Sequence, residues 1–325
     1  MRNTSAIQST LNTTTPFATN YGVGIQGFEA TGTGPTDSIA LASVTSGWNP
    51  TLSTAVPGIP GSASVVAGSD LMVIRRVSDT GYRLVPPYND SAQIFVESGA
   101  TFQAGEILIA TDCAQATVFQ LTSTNSGGAN ITNLVHSAAT KTKGGGAITP
   151  GNSCVVWGTG CTDPGFGPGS EIAKALTTIF YIRQDGTDAL PALYMATSSS
   201  GDLGPGTKLV DGVESMQILY GIDSTAVSSL PGTPPTPLWF DRAERYMTAD
   251  QINSAAPNLW PNVVTVRISL LMRTVNEPNE QADQSIDSKT YILGGTQITP
   301  VSDQNRRRVF VSTVQIRNRI LPSGN

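Results

Sequence analysis

The clearest alternation of apolar and polar positions lies near the C-terminus. From Val263 to Arg273, the residues Val264, Val266, Ile268, Leu270 and Met272 fall on one face, while Thr265, Arg267, Ser269 and Arg273 fall on the other. A period of two sends successive side chains to opposite sides of an extended chain, so this stretch predicts a half-buried strand. A second terminal strand is predicted across Arg306-Arg307-Arg308-Val309-Phe310 and on through Thr313 to Arg319. Its expected inward residues are Phe310, Val314 and Ile316, with Gln315, Arg317 and Arg319 outward. The polar stretch 276–290 between the two reads as an exposed loop.

Shorter runs of the same kind recur upstream. Ser69 to Arg76 predicts a buried strand, and Gly105 to Cys113 with Ala116 to Leu121 predicts a strand pair about a tight connection. Ala175 to Arg183 and Ala192 to Met195 flank Gln184-Asp185-Gly186 as a hairpin. Leu209 to Asp223 enters another strand, with Met216, Ile218, Tyr220 and Ile222 on one face. Arg245-Tyr246-Met247-Thr248-Ala249-Asp250-Gln251-Ile252 is expected to be a short helix, with Thr248 as its N-cap. The first 60 residues, Gly27-Phe28-Glu29-Ala30 among them, are Thr/Gly/Pro-rich and are expected to wrap the surface as loop with short strands. A Pro/Ser-rich loop runs from Ser228 to Pro237. Asp163-Pro164-Gly165-Phe166-Gly167-Pro168-Gly169 is the strongest break, by glycine entropy and proline geometry. It divides the chain into a β-rich subdomain, 1–169, and a C-terminal antiparallel sheet, 170–325. The fold class is mainly β, with few short helices.

Composition narrows the class. The 325 residues include 33 glycines and 21 prolines, with 13 % charged and 6 % aromatic side chains. That profile fits a loop-rich β protein of an extracytoplasmic environment better than a cytosolic α/β enzyme. The net charge of −5 gives no global pull towards nucleic acid or anionic lipid. Arg306-Arg307-Arg308 is the local exception; it reads as a solvated strand entrance and, with Arg317 and Arg319, as a candidate interface. No stretch reaches the ~18 apolar residues of a membrane span. Met1-Arg2-Asn3-Thr4 runs straight into polar sequence, without the pattern of a secretory signal. The expectation is therefore a chain whose targeting segment has been removed.

The chemistry-bearing residues are sparse. His136, the single histidine, lies in an apolar strand-like context and is expected to be structural. No G-x-S-x-G elbow, H-E-x-x-H or P-loop occurs, and Gly144-Gly145-Gly146 lacks the Lys-Ser pair of a phosphate cradle. Glu97, Glu106 and Glu171 are scattered, with no spacing that pairs them on one face. A zinc site is not expected, since no CxxC pair accompanies the lone histidine. These readings predict no enzyme, no cofactor and no metal. Cys154 and Cys161 bracket a loop with two glycines and favour a small disulfide ring in an oxidising compartment; two unpaired buried thiols are the alternative. Cys113 is then the odd thiol. Trp48, Trp157 and Trp239 sit in Gly/Pro-rich surroundings, where aromatics anchor loops or, in a binding module, contact ligand.

Eight stretches taken in order resemble the PilW-type minor pilins of type IV pili: Ser69–Arg76, Ile107–Leu121, Leu134-Val135-His136-Ser137, Phe180–Arg183 with Ala192–Tyr194, Asp211–Asp223, Tyr246–Ile252, Val263–Arg273 and Arg308–Arg319. Asp211–Asp223 is also similar to type II secretion pseudopilins. The resemblance implies an α+β pilin fold once a long N-terminal helix is included, with an enlarged β-rich insertion ahead of the pilin sheet. It implies a structural role: joining other minor pilins in a complex that primes pilus assembly and caps the tip, with the major pilin and a tip adhesin as further partners. That role belongs to adhesion and twitching motility. The implied location is the inner membrane and periplasm before assembly, and then the extracellular pilus tip. Thr111-Asp112-Cys113 looks like the family's Asp-Cys motif, which implies a partner for Cys113 upstream of Arg2. The prepilin segment that would carry the anchoring helix is missing from this sequence. Some relatives bear a calcium loop after the Asp211–Asp223 strand; residues 223–229 lack its alternating oxygen ligands, so calcium is not expected. The alternative function is an extracellular β-rich adhesin or a glycan- or DNA-binding module, with a type II secretion pseudopilin third.

Overall fold

A computed structural model describes residues 7–12, 19–52, 65–88, 91–112, 114–128, 130–138, 149–155, 157, 165–186, 189–200, 203–223, 243–255, 259–275 and 286–316. The strands in chain order are β1 (Ile7–Ser9), β2 (Ile25–Ala30), β3 (Ser38–Ala40), β4 (Trp48–Asn49), β5 (Leu71–Arg83), β6 (Gln93–Glu97), β7 (Ile107–Thr111), β8 (Ala116–Gln120), β9 (Ser123–Gly128) and β10 (Ile131–Val135). They continue as β11 (Glu171–Arg183), β12 (Ala192–Ser198), β13 (Thr207–Asp211), β14 (Val213–Ile222), β15 (Arg245–Met247), β16 (Val263–Arg273), β17 (Tyr291–Leu293), β18 (Thr296–Thr299) and β19 (Arg307–Gln315). A short α-helix, α1 (Ala249–Asn253), follows β15; Thr248 is its N-cap and Gln251 Oε1 accepts the Thr248 N–H at 3.2 Å. The architecture is mainly β, with antiparallel pairing dominant, as the alternation predicts.

The chain forms two compact units: residues 1–24, 75–177 and 197–203 make the first, and residues 25–74, 178–196 and 204–325 the second. This partition interleaves the chain, where the sequence reading drew one division at 169/170.

In the first unit β1 runs parallel to β8, β8 pairs antiparallel with β7, and β7 with the start of β11. A second sheet has the order β6-β10-β9. Both strands β7 and β8 are buried almost throughout, which suits their unbroken apolar runs. The core gathers Leu108, Phe119, Leu121, Leu134, Trp157, Phe166 and Ile172.

In the second unit β14 and β16 pair antiparallel over their length, β15 flanks β14, and β19 flanks β16 in the order β15-β14-β16-β19. A smaller sheet, β17-β18-β3, packs Leu293, Ile298, Ile39 and Leu41 against Leu271 and Val309. The side of β16 that reads as polar thus carries a fully buried leucine, Leu271, because the small sheet covers that face there. β2 pairs with the start of β5 and with β4. Gly27-Phe28-Glu29-Ala30 is therefore not surface loop: Phe28 and Ala30 are fully buried. Turn-rich flanks hid a core strand from the sequence. At Gly27 a Cβ would collide with the Tyr220 hydroxyl and would lie 2.8 Å from the Ala249 Cβ. Only glycine lets β2 approach β14 and α1 this closely.

Candidate assembly surface

The sheet β15-β14-β16-β19 carries the best-matched sequence expectations. Met216, Ile218, Tyr220 and Ile222 share a face and are all buried, and the register sets Tyr220 opposite Val266, Ile218 opposite Ile268 and Met216 opposite Leu270. Tyr220 packs edge-on to Trp260, with ring centroids 4.8 Å apart. Cover on this face fades towards the last strand. Val266 is buried, Ile268 and Leu270 are half-buried, and their β19 neighbours are open, Phe310 47 % and Val314 52 % exposed. The expectation that Phe310 and Val314 point into the core is thus corrected. Alternation put them on the right face of the sheet, but at its edge nothing among the described residues covers that face.

The basic run divides into three different roles. Arg306 and Arg308 are exposed, and the Arg308 guanidinium lies 5.3 Å from the Phe310 ring centroid. The Arg307 side chain is fully buried and pairs twice in forked geometry. Its Nε and Nη2 donate to the two Glu214 oxygens at 2.7 and 3.0 Å, and its Nη1 and Nη2 donate to the two Asp303 oxygens at 2.8 and 2.9 Å. Burial alone would lower the Arg307 guanidinium; the hydrogen bonds to Glu214 and Asp303 override it and hold the group well above its ordinary value. Asp287, 3.6 Å from Arg307, is held below the usual carboxylate range, its burial outweighed by donation from Tyr291 and by the arginine. Arg307 is therefore a clamp tying β19 to β14 and to the loop before β19, not a free surface cation. Arg317 and Arg319 lie outside the described residues.

A second polar centre escaped sequence reasoning. Asp70 Oδ1 accepts the Ala30 N–H at 2.9 Å, Oδ2 accepts the Ile218 N–H at 2.8 Å, and the Asp70 N–H donates to the Met216 carbonyl at 2.8 Å. Its carboxylate thereby stitches β2 to β14 where strand pairing is absent. Glu29, beside it, accepts the Ala249 N–H at 3.1 Å. Burial raises both carboxyls, and mutual repulsion raises Glu29 further. The only sequence signal was two acidic residues beside apolar ones, Glu29 in β2 and Asp70 just before β5.

The remaining candidates are structural in their placement. His136 stacks on Trp157 at 4.4 Å and touches Phe119 at 5.3 Å. Burial pushes its imidazole down to about 4, so it is neutral at physiological pH. Trp48 is buried and donates to the Ser69 carbonyl at 2.9 Å, a loop anchor; Trp239 is outside the described residues. Glu106 pairs with Lys174 at 2.5 Å, Glu97 accepts the Arg83 N–H at 3.3 Å, and Glu171 is exposed, with no shared cleft among them. Cys154 is disulfide-bonded. Cys113 and Cys161 both lie outside the described residues, as do residues 224–229 and 144–146. No cluster of three or more His, Cys, Asp or Glu fit for a metal occurs among the described residues. No helix there is long and apolar enough to cross a membrane.

Among the described residues the main sheet of the second unit ends in an exposed edge strand, β19. Residues 179–318 match the family model PilW, type IV pilus-assembly protein W. The match spans β14, β15, β16 and β19 and covers less than half of the 325 residues. That family is described as one of type IV pilus assembly. No curated protein and no solved structure matches the chain.

Proposed function

We propose that this chain is a minor pilin which joins other minor pilins in the complex that primes type IV pilus assembly and caps its tip. The observation that carries the reading is the PilW match over the second unit's main sheet, the same sheet that ends in an open apolar margin. A pilin helix of the kind the resemblance implies needs an apolar sheet face to pack on. Ile268, Leu270, Phe310 and Val314 supply a partly uncovered one. The chain then acts in the periplasm and on the extracellular pilus, with the major pilin and a tip adhesin as later neighbours. Its disulfide is Cys154–Cys161, and Cys113 pairs with a cysteine of the preceding segment. Non-reducing peptide mapping of the full-length protein reads both bonds directly.

The deciding experiment is copurification with the soluble domains of the sibling minor pilins, alongside pilus counts in a deletion strain. Stable complexes and loss of pili are expected. Retention on immobilised glycan or DNA, with no sibling bound and pili unaffected, would replace this reading with the binding module.

A further inference from the structure

Strand β19 pairs with β16 over nine consecutive residues without a register shift. Hydrogen bonds at both ends fix which backbone groups face inward: Thr274 N–H donates to the Arg306 carbonyl at 3.0 Å, and Ile316 N–H to the Val264 carbonyl at 2.8 Å. Antiparallel pairing alternates, so Arg308, Phe310, Ser312 and Val314 bond to β16. The N–H and C=O groups of Val309, Val311, Thr313 and Gln315 point away from it. Among the described residues no strand meets them.

Such an edge is normally protected by brevity, a bulge, proline or lysine. Three other margins among the described residues have those devices. β13 is interrupted by a register shift against β12 and carries Lys208, while β15 and β4 are three and two residues long. β19 has none of them, and Phe310, Val311 and Val314 are all about half exposed or more. Its charges name the partner. From Arg306 to Arg319 the sequence holds five arginines and no Asp or Glu. Two copies paired along this edge would offer the exposed Arg306 and Arg308 no carboxylate of the strand to pair with. Parallel pairing would set Arg308 against Arg308. A second copy is thus disfavoured by like charge.

We propose that the open edge of β19 is a strand-addition site for an extended segment of another protein, alternating in apolar residues and flanked by carboxylates. Backbone hydrogen bonds from Val309, Val311, Thr313 and Gln315 supply the pairing, and Arg306 and Arg308 choose the partner. This deepens the assembly reading above by naming its surface.

Two probes test it: the soluble domains of the sibling minor pilins, and a labelled peptide Asp-Asp-Thr-Val-Thr-Val-Thr-Val-Asp-Asp beside its lysine-flanked counterpart. Val311→Pro removes an outward N–H and leaves the β16 ladder intact, so its melting temperature should stay close to that of the wild type. Wild type should bind the acidic peptide, and more weakly as salt rises, whereas Val311→Pro should lose at least about tenfold in affinity for it and for the sibling. Arg308→Glu, which does not touch the backbone, should reverse the preference towards the lysine-flanked peptide; it carries the test should the proline variant fail to fold. Sibling binding that stays within about twofold in both variants would overturn the edge while leaving the assembly reading in place. Edge-dependent peptide binding without any sibling binding would uphold the edge and sink the assembly reading. A wild-type dimer in sedimentation that Val311→Pro abolishes would overturn the choice of a foreign, acidic partner.

Discussion

Replacing Arg307 with leucine removes the one cation that lies between Glu214 and Asp303. The Glu214 side chain is 7 % exposed, so its charge has little water to fall back on, while Asp303 at 26 % recovers part of its hydration. Breaking a buried pair from one side costs about 3–5 kcal/mol, because the remaining charge stays desolvated. Arg273 Nη1, 3.6 Å from Glu214, compensates in part. The expected loss is therefore near the lower end, about 3 kcal/mol. In a unit of this size that corresponds to a fall of roughly 6–12 °C in the second unit's melting temperature. Arg307→Lys keeps the charge but cannot fork to two carboxylates, and should recover about half of the loss. Adding Glu214→Gln to Arg307→Leu should cost less than the sum of the two single changes, since the carboxylate that suffers is gone. Urea unfolding followed by circular dichroism gives all four values, and Arg306→Ala with Arg308→Ala serves as the control that leaves the midpoint in place. A loss under about 1 kcal/mol for Arg307→Leu, the level of an exposed pair, would show that the clamp reasoning is wrong.

The two units should answer pH in opposite directions. Glu29 and Asp70 are raised above their ordinary 4.5 and 3.8, so the folded second unit holds protons that the unfolded chain releases; its stability is full below those values and falls as pH climbs towards the raised ones. His136 is depressed from 6.5 to about 4, so the first unit is stable above 6.5 and loses up to about 3 kcal/mol as pH drops through 4. Calorimetry from pH 4 to 9 checks both, with Trp157→Phe leaving tryptophan fluorescence to the second unit; parallel trends would refute the assignment. Gly27→Ala should cost more than the usual ~1–3 kcal/mol of an overpacked core, since a backbone-borne Cβ meets the Tyr220 ring and Ala249 together. Tyr220→Phe removes a buried hydroxyl with no hydrogen-bond partner, should itself be nearly neutral, and should restore only part of the Gly27→Ala loss in thermal melts, since the ring and Ala249 still crowd the new Cβ.

Much of the strand content was legible because the period-two signal at β14 and β16 is long and unbroken. The N-cap Thr248 was legible for a different reason, since capping chemistry is local and needs no tertiary partner. The inward assignment of Phe310 and Val314 failed because alternation reports which residues share a face, and not whether anything lies over that face. β2 was missed because Gly27, which its packing against Tyr220 requires, reads locally as a breaker. Arg307 was inseparable from Arg306 and Arg308 in sequence. Its burial depends on Glu214, far along the chain, and strand alternation alone would have set it apart from its neighbours without naming its partner. Asp70 is the extreme case, since its carboxylate has meaning only beside Ala30 and Ile218.

That last contact has a consequence for the growing polypeptide. Asp70 precedes Ile218 by 148 residues, and β2 precedes the strand it must approach by still more. At a synthesis rate of about 5–20 residues per second, the apolar side chains of β2 and the start of β5 wait roughly 7–30 s before β14 leaves the ribosome. The whole middle of the first unit is made in that interval and can close before the second unit begins to assemble. The acidic pair at 29 and 70 then serves the nascent chain as well as the finished one. Charged while unpaired and solvated, the two carboxylates are expected to oppose association of this early apolar stretch until the late strands arrive to bury them.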